Sequence, residues 1–299
     1  MRRTGFLAAG LLAACAIFTF GVAGASAALP ELGRCLPAQT QPHGKGVIYE
    51  GQYSNSSCTH ISAKHRGKYE WAPGPGSKPK FVGFAVEPEP TLQTTTGAKV
   101  ECSSMVFDGG EYTGPKTAKV SKVLLSGCTS EGVPCQTTAV LHEGEIEGNE
   151  FTMELGKIEP PAFKRAATAG WDLKKAGAGE AFTYECGKLP EIRSVQDVGG
   201  SVIAPLSSSR EYDVNHMSAD AFLLYKAADG KQLPEAFTGG EKDTLLNKTT
   251  TESISYSEAQ VGLTTDLQLE GTVEEKEVEK EENKEPLEVK TIGEPSAAG

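Results

Sequence analysis

The sequence predicts an all-β fold, an antiparallel β-sandwich or barrel with a small disulfide-tied subdomain at its N-terminus. Three observations lead to this prediction. Short segments of alternating apolar and polar residues recur along the chain, 34 of the 299 residues are glycines without a collagen-like period, and the number of cysteines suits disulfide bonds. An alternation with a period of two is the pattern of a half-buried strand, and one-sided patterns of this kind are typical of antiparallel sheets.

The clearest alternation covers residues 261–273. Val261, Leu263, Leu267 and Leu269 lie on one predicted face, and the residues between them are mostly polar. The other predicted strands are 82–86, 98–104, 118–126, 137–142, 151–158, 180–186 and 200–206. Residues 218–227 are ambiguous, because a good helix N-cap at Ser218 is followed by helix formers, whereas Asp229-Gly230 suits a tight turn between strands.

The N-terminus has the three parts of a signal peptide in order. Two arginines are followed by an uncharged apolar run from Phe6 to Val22 and then by Ala25-Ser26-Ala27, a small-x-small cleavage pattern. We therefore predict that residues 1–27 are a signal peptide and that the mature chain is secreted and extracellular. Two alternatives are an uncleaved membrane anchor and a lipid anchor at Cys15, because Leu12–Cys15 resembles a bacterial lipobox.

The charge of the mature chain narrows the classes of partner. Removal of residues 1–27 leaves 27 basic and 40 acidic residues, a net charge of −13. Such an acidic surface repels phosphate backbones and anionic lipid headgroups, so a nucleic-acid partner is not expected. No segment after the signal peptide is apolar for 18 residues, so we expect no membrane span after cleavage.

Six of the seven cysteines remain once Cys15 leaves with the signal peptide, and an even number in an exported chain indicates disulfides. Cys102 and Cys186 each end an alternating segment on its apolar face, which suits a buried bridge between strands. A Gly/Pro-containing turn lies between Cys128 and Cys135, which suits a local bridge. The preferred set, out of 15 pairings, is Cys35–Cys58, Cys102–Cys186 and Cys128–Cys135.

The mature chain divides by composition into three parts. Residues 28–75 form the predicted disulfide-tied N-terminal subdomain, which a Pro/Gly-rich linker joins to an antiparallel β domain at 76–273. Residues 274–299 are a charged tail, predicted to be solvated, in which Leu287, Val289 and Thr291 suit one last edge strand. The candidate binding residues are the aromatic set of the subdomain, Tyr49, Tyr53, Tyr69 and Trp71, whose alternative role is to pack on the disulfide.

Several blocks of the sequence resemble a known family. They are Leu29–Cys35, Tyr53 with Cys58, Gly67–Gly74, Gly110–Thr117, Ser126–Cys128 and Gly200–Ile203. Together they resemble a family of uncharacterised secreted proteins from high-GC Gram-positive soil bacteria, over nearly the whole mature chain. The resemblance implies a strand at 218–227, and the charged stretch 279–288 departs from it. It supplies no activity, ligand or catalytic residue.

Motifs of catalysis are missing from the sequence. There is no Gly-x-Ser-x-Gly, His-Glu-x-x-His, Walker or Gly-x-Gly-x-x-Gly motif, so we expect neither a cofactor nor a metal site. His60 and His65 are predicted to be loop residues, and His142 is predicted to lie on a strand beside a carboxylate. The favoured function is a non-enzymatic extracellular or envelope-associated protein with a structural or interaction role. The alternatives are a secreted module that binds an envelope glycan or protein, and an exported hydrolase.

Overall fold

The computed structural model describes residues 30–76, 80–137, 142–158, 168–187, 194–207, 221–250, 256–272 and 288–291. The predicted signal peptide, Cys15 and most of the charged tail lie outside these residues. Within them the chain is all-β and antiparallel, which confirms the predicted fold class. The helical structure of the described residues is one 3₁₀ turn, Ala63–His65.

The strands are named in chain order. They are β1 (Pro30–Pro37), β2 (Thr40–His43), β3 (Gly46–Tyr49), β4 (Tyr69–Pro73), β5 (Lys80–Ala85), β6 (Thr91–Thr94), β7 (Lys99–Glu101), β8 (Ser104–Tyr112), β9 (Thr117–Ser126), β10 (Thr129–Ser130), β11 (Val133–Gln136), β12 (Ile146–Ile158), β13 (Thr168–Lys175), β14 (Phe182–Cys186), β15 (Val195–Ser207), β16 (Ala221–Ala228), β17 (Lys231–Leu233), β18 (Leu245–Thr250), β19 (Tyr256–Thr272) and β20 (Glu288–Thr291).

Strand pairing in the main sheet closes on itself twice. Among the described strands, the first ring runs β12-β9-β8-β5-β19-β16-β15-β13 and returns to β12. The second ring runs β19-β6-β7-β10-β11-β14-β15-β18 and returns to β19. A ring of eight strands encloses an interior that side chains can fill, as in a small barrel.

Two long strands belong to both rings. The first half of β15 pairs with β14 and β18, and its second half pairs with β13 and β16. β19 is divided in the same way. Its first half pairs with β18 and β6 of the second ring, and its second half pairs with β16 and β5 of the first ring. The buried side chains of both rings form one hydrophobic core, so the two rings are packed as one unit.

The largest side chains of this core are aromatic. The rings of Phe81 and Tyr112 have centroids 4.5 Å apart, and Tyr112 lies 6.0 Å from Trp171. Trp171 is fully buried on β13, a strand that the alternation pattern did not predict. Burial of Tyr112 raises the pKa of its hydroxyl well above the usual range.

The alternation at 261–273 corresponds to β19. Val261, Leu263, Leu267 and Leu269 are buried there, as predicted. The segment 218–227 forms β16 from Ala221 onward, which agrees with the strand reading of that segment. Most of the predicted strand 137–142 lies outside the described residues.

The N-terminal module, residues 30–76, contains a sheet in which β1 lies between β4 and β20. The hairpin of β2 and β3 is a separate two-stranded sheet in the same module. Leu32 of β1 is buried in the main core, and its N–H donates to the Pro115 carbonyl at 2.6 Å. β1 therefore joins the module both to the last described strand and to the main sheet.

The disulfides are Cys35–Cys58, Cys102–Cys128 and Cys135–Cys186. The first confirms a predicted pair, whereas the predicted pairs Cys102–Cys186 and Cys128–Cys135 are wrong. The strand order β7-β10-β11-β14 explains the error, because it places Cys128 beside Cys102 and Cys135 beside Cys186. Cys102 and Cys186 are separated by the whole β10–β11 hairpin, so no bond can join them.

Candidate functional site

Three of the four candidate aromatics pack on the disulfide of the N-terminal module. Tyr53 is buried with Cys35 and Cys58, and Tyr69 and Trp71 are half-buried against this cluster. The backbones explain the proximity: Tyr53 is bridged to Tyr69, and Trp71 lies opposite Cys35 in the pairing of β1 with β4. Burial, followed by the charges of Glu70 and Glu31, raises the pKa of the Tyr53 hydroxyl.

Two contacts hold the indole of Trp71, one to its ring N–H and one to a face of the ring. Its ring N–H donates to the Glu31 carboxylate. A β-carbon on Gly33 would lie 2.4 Å from the indole, so the ring lies directly over the β1 backbone. The contact with Gly33 therefore removes one face of the Trp71 ring from solvent.

Tyr49 stands apart from that cluster, at the end of β3. It is half-buried, and the Lys68 ammonium lies 5.7 Å from the centroid of its ring. This distance is within the range of a cation–π interaction. The four aromatics therefore belong to one module, but they do not share one exposed face.

Exposed apolar side chains of the module were not among the residues predicted from the sequence. Val47 on β3 is 54% exposed, and Ile61 in the following loop is 58% exposed. All four residues of β2 are exposed as well. Most side chains of the hairpin are thus exposed, while its base is joined to the segment before β4: the Ala38 N–H donates to the Lys68 carbonyl at 2.8 Å, and the Gly51 N–H donates to the Gly67 carbonyl at 3.0 Å.

A second candidate site is the buried carboxyl of Asp172 on β13. Only 4% of the residue is exposed, and its Oδ1 has no hydrogen-bond partner. Burial, and then the charge of Asp243, raise the pKa of Asp172 to about 6, while the nearby Lys174 ammonium and Ser201 hydroxyl act in the opposite direction. A carboxyl that titrates near neutrality is a feature of functional sites and of buried structural acids alike.

The loop 234–243 brings the second acid to this position. The Thr238 N–H donates to the Lys157 carbonyl at 2.8 Å, which fixes the loop against β12. At its end, Asp243 accepts a hydrogen bond of 3.0 Å from the Ser201 hydroxyl. Alternation along β13 places Asp172 on the face opposite Trp171 and Leu173, where the sequence pattern predicts an exposed residue. The loop 234–243 is distant in sequence, so the pattern along β13 gives no sign that Asp172 is buried.

Two acidic residues of β12, Glu147 and Glu154, are engaged in ion pairs with lysines. Glu147 lies 2.8 Å from the Lys122 ammonium, which donates to it and holds the pKa of that carboxyl below its usual range. Glu154 pairs with Lys174 at 3.0 Å. His60 is an exposed loop residue, whereas the predicted strand position of His142 is wrong, because it lies exposed in a bend before β12.

A cavity lies where the two rings meet. Its wall is apolar and includes Met105, Phe151, Phe182, Val202 and Leu263. The space open to the centre of a water molecule is about 20 Å³, which is room for about one water. The cavity is therefore too small and too apolar for a ligand site, and we interpret it as a packing defect of the core.

Comparisons with known proteins add no relative. No protein-family model matches the chain, no curated protein matches it, and no solved structure matches it. In the part of the chain that the structure describes, no three His, Cys, Asp or Glu side chains are grouped closely enough to hold a metal ion. The same residues contain no helix of the length and apolarity needed to cross a membrane.

Proposed function

We propose that this chain is an exported protein with a non-enzymatic role at the cell envelope, where its N-terminal module contacts a partner. The observation that carries the proposal is the solvent-exposed β2–β3 hairpin on a disulfide-braced base, with Val47 and Ile61 more than half exposed. Exposed aliphatic side chains suit a contact surface, because their burial against a partner removes apolar area from water.

Export is supported by two independent features. The sequence begins with the three parts of a signal peptide, and the described residues contain three disulfides. Disulfides persist in oxidising compartments such as the extracellular space. The lipid anchor at Cys15 remains the alternative, and it would also place the module at the envelope.

The partner that we propose is an envelope protein or glycan. The net charge of −13 disfavours anionic polymers, and the apolar exposed residues favour a partner with an apolar or sugar-ring surface. Glycan binding through the half-buried ring of Tyr49 is a second candidate, in which a sugar stacks on a ring face that the Lys68 ammonium does not cover.

The proposal is tested by co-sedimentation of the mature protein with isolated Gram-positive cell walls, before and after removal of wall proteins. We expect the wild type to sediment and the double variant Val47→Ser/Ile61→Ser to lose at least about tenfold in affinity, equivalent to about 1.4 kcal/mol. Leu233→Ser is the matched control, because Leu233 is 51% exposed on the main sheet. Loss of binding in the control to the same extent, or no binding of the wild type, would contradict the proposal.

The two wall preparations separate the partners. Binding that survives removal of wall proteins identifies the glycan, and Tyr49→Ala should then weaken it. Binding that disappears with the wall proteins identifies a protein partner. A hydrolase would instead release soluble fragments from the walls, which the supernatant of the same experiment reports.

A further inference from the structure

Four cysteines lie in a single row across four neighbouring strands. Glu101 is opposite Thr129, so the next residues along, Cys102 and Cys128, are opposite each other. Thr129 is opposite Pro134, which places Cys128 opposite Cys135. Cys135 is in turn opposite Cys186. Their order across the sheet is therefore Cys102, Cys128, Cys135 and Cys186.

All four side chains are on the same face, because residues directly opposite each other in antiparallel strands point to one side. The two disulfides join the outer pairs of the row, with Cα atoms 3.9 Å and 4.0 Å apart. The central pair is hydrogen-bonded: the Cys135 N–H donates to the Cys128 carbonyl at 2.9 Å. Cα atoms of such pairs are about 5.5 Å apart, which is the usual separation in a disulfide.

The row also has the direction that disulfide exchange requires. A thiolate attacks one sulfur of a disulfide and displaces the other from the far side. Cys135 lies on the side of Cys128 that faces away from Cys102, so a Cys135 thiolate meets the Cys102–Cys128 bond in line.

Access from solvent is confined to one end of the row. Cys102, Cys128 and Cys135 are buried, with at most 1% exposed, whereas Cys186 is only partly buried. An external thiol therefore reaches the sulfur of Cys186 first, and the thiol that it displaces is Cys135.

We propose that this row is a thiol–disulfide relay that makes Cys186 a covalent attachment site for an extracellular thiol. The thiolate of the incoming compound bonds to Cys186 and displaces the Cys135 thiolate. Cys135 then attacks Cys128, forms Cys128–Cys135 and displaces Cys102, which takes up the proton that the incoming thiol lost. Two disulfide bonds are present before and after, so no oxidant or reductant is consumed.

The second exchange determines how long the adduct lasts. A Cys135 thiolate left beside Cys186 would attack the mixed disulfide and expel the bound thiol. Once Cys135 is bonded to Cys128, the nearest free thiol is Cys102, at the other end of the row and buried. The relay thus separates the adduct from the group that would reverse it.

The test uses the oxidised mature protein and glutathione as the probe. After limited incubation, free thiols are blocked at low pH with N-ethylmaleimide, and peptides are mapped without reduction. We expect glutathione on Cys186, a linked Cys128–Cys135 peptide and maleimide on Cys102. Two outcomes would overturn the relay. The first is glutathione on Cys186 with maleimide on Cys135 and an intact Cys102–Cys128 bond. The second is attachment of glutathione at Cys35 or Cys58 alone.

A variant tests the second step without any added thiol. Cys186→Ser leaves Cys135 without its partner, and we expect its molecules to divide between Cys102–Cys128 and Cys128–Cys135 bonds. Cys58→Ser is the matched control, because it frees Cys35 in the other module and should leave the row unchanged. Detection of Cys102–Cys128 alone in the Cys186→Ser variant would exclude the exchange, and the glutathione experiment decides the case if that variant does not fold.

Discussion

The ring of Phe237 lies over Gly156, so closely that a β-carbon on Gly156 would be 2.5 Å from the ring. Phe237 belongs to the loop 234–243, and Gly156 belongs to β12. The absence of a side chain at this position lets the loop lie flat against the sheet. The contact between Phe237 and Gly156 holds the loop 234–243 against β12, and the end of this loop places Asp243 near Asp172.

Replacement of this glycine tests the contact directly. Gly156→Ala should destabilise the protein by about 1–3 kcal/mol, the usual cost of an overpacked site, measured as the free energy of unfolding in urea. Gly46→Ala is the control, because a β-carbon there meets only one atom, the His43 carbonyl oxygen, at 3.9 Å. Equal stability of the two variants would show that the loop does not rest on β12.

The second prediction concerns pH. The pKa of Asp172 is about 6 in the folded chain, against an ordinary value of 3.8, with Asp243, Lys174, Ser201 and Glu154 around it. Between these two pH values the folded chain binds the proton and the unfolded chain does not. The free energy of unfolding should therefore decrease as the pH rises from about 4 to about 6, by roughly 1–3 kcal/mol.

Two variants assign this pH dependence to its cause. Asp172→Asn should remove that part of the slope, since the amide does not titrate. Asp243→Asn should make the decrease smaller and end it at a lower pH, because the charge of Asp243 contributes to the raised pKa of Asp172, whereas the pKa of the unfolded chain is unchanged. Urea unfolding at a series of pH values measures both effects, and an unchanged profile in Asp172→Asn would refute the assignment.

The third prediction concerns the cross-links. Chain-entropy estimates for the sequence separations of 23, 26 and 51 residues are about 3.4, 3.5 and 4.1 kcal/mol of stabilisation. Of the serine double variants, Cys135/Cys186 should lose the most stability, and Cys35/Cys58 and Cys102/Cys128 should lose nearly equal amounts. Mapping of the untreated protein without reduction should give the three pairs described here, and a Cys102–Cys186 peptide would invalidate the strand order.

The fourth prediction concerns processing. The intact mass of the exported protein should correspond to a chain that starts at Ala28, because the small-x-small pattern ends at Ala27. A diacylglyceryl group on an N-terminal Cys15 would establish the lipid anchor instead. Retention of residues 1–27 would establish the uncleaved membrane anchor.

Local alternation in the sequence was enough to predict the fold class and many of the strands. Val261, Leu263, Leu267 and Leu269 mark the buried face of β19 by themselves. β13 was missed, because Gly170 and Asp172 are buried on its second face and so remove the one-sided pattern. A strand covered on both faces cannot be recognised by a period of two.

The cysteine pairing shows a different limit. The alternation correctly placed Cys102 on a buried face, but the partner of a cysteine depends on which strands are neighbours. That order is fixed by long-range pairing, such as β11 with β14, about which the residues next to Cys135 carry no information. For the same reason the burial of Asp172, and the packing of Tyr53 on its disulfide, follow only from the assembled structure.

The pairing of β1 with β20 also determines when, during synthesis of the chain, the sheet of the N-terminal module can be completed. Pro30 lies opposite Thr291, so the first described strand pairs with the last one, and the early strand β5 pairs with the late strand β19. At about 5–20 residues per second, a ribosome needs roughly 10–50 s to make the residues that separate β1 from β20. During that time the edge of β1 that pairs with β20 has no partner, and the first ring stays open until β19 has been made. The pairing of β1 with β20 therefore waits until residue 291 has been made, and any process that acts on the unfolded chain has this interval in which to act.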